Sequence, residues 1–121
     1  MRYIAWRYWE EDRRLENRDS QPLTEAAYYI LLALHEPRHG YGIMQTVREM
    51  SRERVNMGPG TLYGALKNMT EKGWIEPFGP ESESRKKEYS ITDEGRRIAA
   101  AELERLQELA AEGVKIILGS G

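Results

Sequence analysis

The chain contains no cysteine among its 121 residues. That absence excludes disulfide bonds and thiolate metal ligands, and it fits a reducing compartment. Long apolar runs are also missing, because the longest, Ala26 to Leu34, is too short to cross a bilayer. The N-terminus has no continuous hydrophobic region of the signal-peptide type. We therefore expect a cytoplasmic protein with no membrane association.

An excess of charge of one sign is absent as well. The chain has 18 Lys and Arg against 20 Asp and Glu, a formal net charge of −2. When the chain is divided into residues 1–20, 21–34, 35–92 and 93–121, only the third segment has a net positive charge. It contains nine basic and eight acidic side chains. Any basic surface must therefore come from local geometry. The length fits a single domain, with an appendage at most.

The stretch GPGTLYGALKNMTEKG, residues 58–73, has the clearest periodic pattern in the chain. Gly58 suits an N-cap, Pro59 suits the first helical position, and Gly73 suits the left-handed residue that follows a helix. Apolar side chains recur at i, i+4 and i+7, so they share one buried face. They are Leu62, Leu66 and Met69.

The other faces of this predicted helix carry hydroxyl, tyrosyl, ammonium and amide groups, which suit a polar and anionic partner. A helix fits the major groove of DNA, where base edges are distinguishable. We therefore interpret the stretch as a recognition helix for duplex DNA. Asn68 could bond an adenine, and Lys67 could bond a guanine or a phosphate.

Two helices are predicted before it. Thr24 is a good N-cap for a helix that ends near Leu34. A second helix should run from about Tyr41 to Arg52. Tyr41 would stand at its N-terminus, where it could meet a phosphate. Packing of Tyr41 inside the protein is an equal alternative.

The segment between these helices, HEPRHG, matches the H-E-x-x-H zinc signature at residues 35–39. That signature requires a continuous helix, so that histidines at i and i+4 converge on the metal. Pro37 removes a main-chain donor and disfavours the helical conformation of Glu36. We interpret the segment as an inter-helix turn, and we expect no metal site and no cofactor.

Strands are predicted around the central helix. Val55 and Met57 alternate around Asn56, which indicates a short strand at residues 55–57. Residues 74–78 and 85–92 read as two further strands that form a hairpin. This hairpin has a basic shoulder, which is either simply solvated or lies along a phosphate backbone. The shoulder consists of Arg85, Lys86 and Lys87.

The last helix is predicted to start after Thr92 as N-cap and to reach about Leu118. Small and apolar residues recur along it at alternating spacings of four and three, as in a coiled-coil seam. We expect this seam to pair with a second copy of the chain. Folding back onto residues 1–20 is the alternative, and both can occur together. The predicted dimerisation residues are Ala99, Leu103, Leu106, Ala110 and Ile117.

Residues 1–20 combine aromatic side chains with mixed charges. Their aromatic face is too large to remain in water. The favoured interpretation is a packing arm. An effector pocket lined by Trp6 and Trp9 is the alternative.

Three motifs in order resemble the PadR-like family of winged-helix transcriptional regulators. They are the turn HGYGI at residues 39–43, the opening GTLY at residues 60–63, and RKKEYSITDEGR at residues 85–96. The resemblance covers the chain from Leu23 to about Gly95. The single final helix is similar to the shorter branch of that family.

The resemblance implies a homodimer that binds a pseudo-palindromic operator, usually as a repressor, and that a small molecule can release. By position it implies DNA contacts from the helices and the hairpin wing. The DNA-binding residues that the resemblance implies are Tyr41, Thr61, Tyr63, Lys67, Arg85, Lys86 and Lys87. Asn68, from the helix pattern, and Pro59, at the start of the recognition helix, complete the predicted DNA-binding set. A last-helix tryptophan, which some drug-sensing relatives use to stack planar ligands, is absent from residues 93–121.

The predicted architecture is mainly α with a small β-hairpin wing. It comprises an aromatic and charged arm or helix at residues 1–21, a winged helix-turn-helix domain at residues 22–92 and a dimerisation helix at residues 93–121. A winged-helix module that binds proteins instead of DNA is the alternative. An enzyme is not expected, because no nucleophile–base pair or phosphate-binding glycine loop is present.

Overall fold

The computed structural model describes residues 22–79 and 87–119. In chain order the elements are helix α1 (Glu25–Ala33), strand β1 (Arg38–His39), helix α2 (Gly40–Met50), helix α3 (Pro59–Glu71), strand β2 (Ile75–Phe78), strand β3 (Glu88–Ile91) and helix α4 (Asp93–Ile117). The four helices predicted between residues 24 and 118 are each present within two residues of their expected bounds. The arm at residues 1–21, including Trp6 and Trp9, lies outside the described residues.

The chain divides into two compact units, of which one is Leu23–Ala99. The other unit contributes residues 100–119 to the described part. The core of the first unit is built from the apolar faces of α1, α2 and α3, together with the last residue of β3 and the first of β2. Its largest fully buried side chains are Ile30, Leu31, Leu34, Ile43, Val47, Leu62, Leu66 and Ile75.

The three strands form one antiparallel sheet in the order β1-β3-β2. In the hairpin, Ile75 pairs with Ile91 and Phe78 pairs with Glu88. On its other edge β3 pairs with β1, through Arg38 opposite Tyr89. The main-chain N–H of Ile91 also donates to the carbonyl of Leu34 at 2.9 Å, which joins β3 to the end of α1.

The predicted strand at residues 55–57 was wrong, since these residues have no regular structure and the third strand is β1. Ser51 explains the difference. Its buried hydroxyl accepts a hydrogen bond from the N–H of Val55 at 2.9 Å and curls the chain. Arg52 and Glu53 follow with φ of 54° and 67°, which lie in the left-handed region rather than the extended one.

The inter-helix segment at residues 35–40 is a turn, as predicted, but it also supplies β1. The side chain of Arg38 fixes this segment to α1, because its Nε donates to the carbonyl of Ala33 at 2.8 Å. The extended conformation before α2 therefore places Arg38 and His39 beside the free edge of β3.

Candidate nucleic-acid interface

Helix α3 has the ends that the sequence predicts. Gly58 is the N-cap and Pro59 occupies the first turn. At the other end Gly73 has a φ of +77°. The N–H of Gly73 donates to Thr70 and that of Trp74 donates to Met69, both at 3.0 Å, which is a Schellman motif. The C-terminal end of α3 is therefore defined by local hydrogen bonding, whereas at the N-terminal end Gly58 provides no side-chain cap and Pro59 begins the helix.

The buried face of α3 is formed by Leu62, Leu66 and Met69, as predicted, and each is at most 3% exposed. Outside this face α3 carries exposed polar side chains. Thr61, Lys67 and Asn68 are exposed, and their side chains make no hydrogen bond or ion pair within the described part of the chain.

Two glycines open the exposed face of α3. Gly60 and Gly64 lie one turn apart, and a Cβ added to either would have no atom within 4 Å. Lys67 follows Gly64 on the same side of the helix. Another molecule can therefore approach the main chain of α3 closely between these positions.

The first turn of α2 lies next to this face. His39 is its N-cap, and the ring Nδ1 accepts a hydrogen bond from the N–H of Gly42 at 3.3 Å. Tyr41 is 67% exposed, so its side chain does not pack in the core. Tyr63 of α3 is half-exposed, and its hydroxyl end contacts Gly40.

The hairpin supplies the third part of the candidate surface. Lys87 is exposed, and its Nζ lies 5.6 Å from the ring centroid of Tyr89. Burial, and to a smaller extent the neighbouring Tyr63, raise the pKa of Tyr89. The predicted contacts Arg85 and Lys86 lie outside the described residues.

The sequence interpretation missed the groups that hold this surface in place. Arg38 anchors the segment before α2, and Thr92 anchors the end of the hairpin, where its Oγ1 donates to the carbonyl of Gly73 at 2.6 Å. Thr92 was expected only as an N-cap. No local pattern indicates a bond between residues 19 positions apart.

The predicted dimerisation residues have different environments. Ala99 is 5% exposed and belongs to the core cluster, so it is already covered within the single chain. Leu106 is half-buried and Ala110 is exposed. The predicted dimerisation residues form one apolar stripe along α4. The exposed apolar side chains of α4 in or next to this stripe are Leu103, Leu109, Val114, Ile116 and Ile117.

One buried carboxylate lies beside this stripe. Glu102 is 6% exposed and accepts two hydrogen bonds from Arg105, at 3.0 and 2.5 Å. The charge of Glu102 is therefore paired on its own helix. Within residues 22–79 and 87–119, no helix combines the length and apolar character needed to cross a bilayer.

Three helices, a three-stranded antiparallel sheet with a hairpin wing, and an exposed polar face on the third helix define a winged-helix protein. The family model of the PadR-like transcriptional regulators matches residues 30–101. The chain therefore belongs to the PadR-like family of transcriptional regulators.

Solved structures agree with this assignment. A PadR family transcription regulator from Clostridium difficile R20291 is 26% identical, with a TM-score of 0.65 over 78% of this chain and 99% of that one. RosR of H. salinarum is 29% identical, with a TM-score of 0.63 over 84% of this chain and 94% of that one.

A curated protein from Streptomyces fradiae, an uncharacterized 37.1 kDa protein in transposon TN4556, is 32% identical over 87 residues. The matched region covers 71% of this chain and 24% of that protein. This chain therefore matches about a quarter of the length of that relative.

Proposed function

We propose that this chain is a sequence-specific DNA-binding transcriptional regulator that acts as a homodimer on a pseudo-palindromic operator. The observation that carries the proposal is the exposed face of α3. It presents Thr61, Lys67 and Asn68, while the opposite face is anchored in the core. An α-helix fits the major groove, and lysine and asparagine are side chains that pair with guanine and adenine there.

The start of α2 and the hairpin are proposed to bind the phosphate backbone. A helix N-terminus offers N–H groups and a positive dipole end to an anion. Tyr41 is exposed at that position, and Lys87 is exposed beside β3. Such contacts carry no sequence information, but they fix the register of the recognition helix on the duplex.

Helix α4 is proposed to pair with its copy in a second chain. Its stripe includes Leu103, 46% exposed, and Ile117, 79% exposed. Exposed apolar patches of this kind mark interaction surfaces in soluble proteins. A two-fold dimer would read two half-sites about 34–36 Å apart, or a multiple of that distance. Occupation of the operator would then repress transcription, as the family resemblance implies.

The test is a selection of bound duplexes from a random pool, run beside a measurement of mass in solution. The full chain should enrich a consensus with two-fold symmetry and should have a dimeric mass. A variant with Lys67→Gln and Asn68→Ala serves as the matched control. It retains the buried face of α3, so it should fold normally and enrich no consensus.

Failure to retain any duplex even at low salt would contradict DNA binding. That result would favour a winged-helix module that binds another protein. Enrichment of a consensus without two-fold symmetry, or a monomeric mass, would contradict only the homodimer.

A further inference from the structure

Gly40 and Tyr63 form a contact that links α2 to α3. Gly40 is the first residue of α2 and is buried. A Cβ placed on Gly40 would lie 2.2 Å from the hydroxyl oxygen of Tyr63 and 2.7 Å from its Cζ. Real side chains do not approach so closely, so the ring end of Tyr63 occupies the space that a side chain at position 40 would fill.

The requirement for glycine here is specific to that ring. Gly40 does not have a left-handed conformation, and so its main chain would admit an alanine. Gly42, two residues later in the same turn, provides the comparison. A Cβ on Gly42 would meet its nearest atoms at 3.8 Å, which is ordinary van der Waals contact. Of these two glycines, only Gly40 is in a position where an added Cβ would clash with another side chain.

The contact joins three parts of the candidate interface. Tyr63 lies on α3, four residues before Lys67 and therefore one turn away on the same side of the helix. Gly40 follows directly after β1, and β1 pairs with β3. Tyr89 of β3 is a further neighbour, since Tyr63 helps to raise its pKa. The Tyr63 ring thus lies among α3, the start of α2 and the strand that leads out of the wing.

We propose that Tyr63 is a positioning residue for DNA binding, and that its ring end, seated at Gly40, fixes the exposed face of α3 relative to the first turn of α2. This proposal rests on the proposed function, in which α3 reads bases while α2 binds phosphates. Base contacts need placement to within about 0.5 Å, whereas phosphate contacts alone support nonspecific binding. Loss of the contact between the Tyr63 ring and Gly40 should therefore reduce sequence specificity before it reduces nonspecific DNA binding.

The experiment is a double-mutant cycle with two measurements, the melting temperature and the affinity for two duplexes. One duplex is the consensus enriched from the random pool, and the other is a scrambled duplex of equal length. The variants are Gly40→Ala, Tyr63→Leu and their combination. Gly42→Ala is the control for placing alanine in the first turn of α2, and Tyr63→Phe is the conservative variant.

Gly40→Ala should lower the melting temperature by a few degrees, less than Gly95→Ala does, because the added methyl must displace the half-exposed ring end of Tyr63 rather than main chain. Gly42→Ala should not lower it. In the Tyr63→Leu background Gly40→Ala should lower the melting temperature far less, since leucine is too short to reach position 40. This non-additivity is the signature of a direct contact.

Tyr63→Leu and Gly40→Ala should each weaken binding of the consensus duplex by about tenfold or more, a loss like that of a mismatched base pair. Binding of the scrambled duplex should change by less than about twofold, because phosphate contacts dominate it. Tyr63→Phe keeps the ring carbon Cζ in contact with Gly40, so it should retain affinity for the consensus duplex within about threefold.

If Gly40→Ala lowers the melting temperature equally in the wild-type and Tyr63→Leu backgrounds, Tyr63 does not contact position 40. Coupled stabilities with an unchanged ratio of consensus to scrambled affinity would make the contact purely structural and would overturn the positioning role. Equal losses in Tyr63→Phe and Tyr63→Leu would assign the effect to the hydroxyl instead. If the wild-type chain itself enriches no duplex, the proposed function fails and the positioning role fails with it.

Discussion

Gly95, in the first turn of α4, packs directly against the main-chain carbonyl of Trp74. A Cβ on Gly95 would lie 2.0 Å from that oxygen and 2.7 Å from Cγ1 of Ile91. The same carbonyl accepts a hydrogen bond from the N–H of Thr92 at 3.0 Å. The Oγ1 of Thr92 in turn accepts one from the N–H of Gly95 at 3.0 Å. The start of α4 is thereby fixed to the entry of the hairpin.

Gly95→Ala should therefore destabilise the protein strongly. The clash is with main chain, which cannot move aside as a flexible side chain can, so we expect a loss of about 3 kcal/mol or more. Chemical denaturation of wild type and variant measures this difference. Gly64→Ala, at an open position in α3, is the matched control and should not destabilise. A Gly95→Ala variant as stable as wild type would show that α4 does not start against Trp74.

Gly64→Ala should change stability and DNA affinity in opposite directions. A glycine in a helix interior costs up to about 1 kcal/mol relative to alanine, and nothing lies within 4 Å of the added methyl, so the melting temperature should rise. The same methyl would stand between α3 and the floor of a DNA groove. We expect weaker binding of the consensus duplex and little change for a scrambled one. Unchanged or tighter consensus binding would show that DNA does not approach α3 at Gly64.

Lys67→Gln should weaken DNA binding. The salt dependence of the variant's DNA affinity, compared with that of wild type, identifies the group that Lys67 contacts. If Lys67 binds a phosphate, the slope of log affinity against log salt should become shallower by about one, equally for all sequences. If it binds a guanine, discrimination at one base pair should relax instead. Binding titrations over a range of salt concentrations separate the two outcomes.

Lys115→Gln is the control for Lys67→Gln, because Lys115 is paired with Glu112 on α4 and lies outside the proposed interface. Both variants remove one positive charge. Equal effects of the two substitutions would mean that net charge alone is responsible, and the assignment of Lys67 to the interface would then be incorrect.

Leu103→Glu should convert the proposed dimer to a monomer. Leu103 is 46% exposed on the apolar stripe of α4, and a carboxylate at a coiled-coil seam would be desolvated in the dimer. Sedimentation or light scattering measures the mass. Ala111→Glu introduces the same charge change at an exposed position on the side of α4 away from the stripe and should leave the proposed dimer intact. A dimeric Leu103→Glu variant would place the dimer interface elsewhere.

The ends of the helices were predictable because capping residues and apolar spacing act within a few residues of each end. Thr24 as N-cap accepts the N–H of Ala27 at 3.0 Å, as its position before an apolar run indicates. The i, i+4, i+7 spacing of Leu62, Leu66 and Met69 identified the buried face of α3, which in turn identified its exposed face. The hairpin strands were also recognised, since Ile75–Phe78 and Glu88–Ile91 fall within the predicted ranges 74–78 and 85–92.

The third strand was not predictable in this way. Residues 55–57 alternate as a strand would, but the buried hydroxyl of Ser51 and two left-handed residues turn the chain there. Arg38 and His39 form too short a strand to leave a pattern. They pair with β3 because the fold places them at its edge, and strand pairing depends on what lies beside a segment in space.

The sequence by itself determined which segments become helices, where each begins and ends, and which face of α3 is apolar, because caps and side-chain periodicity act over a few residues. Only the tertiary structure decided why position 40 and position 95 are glycines. At each of them the chain meets an atom from a distant position, the phenol of Tyr63 and the carbonyl of Trp74. No spacing along the sequence encodes such an encounter, since it arises only when the packed core brings the two segments together.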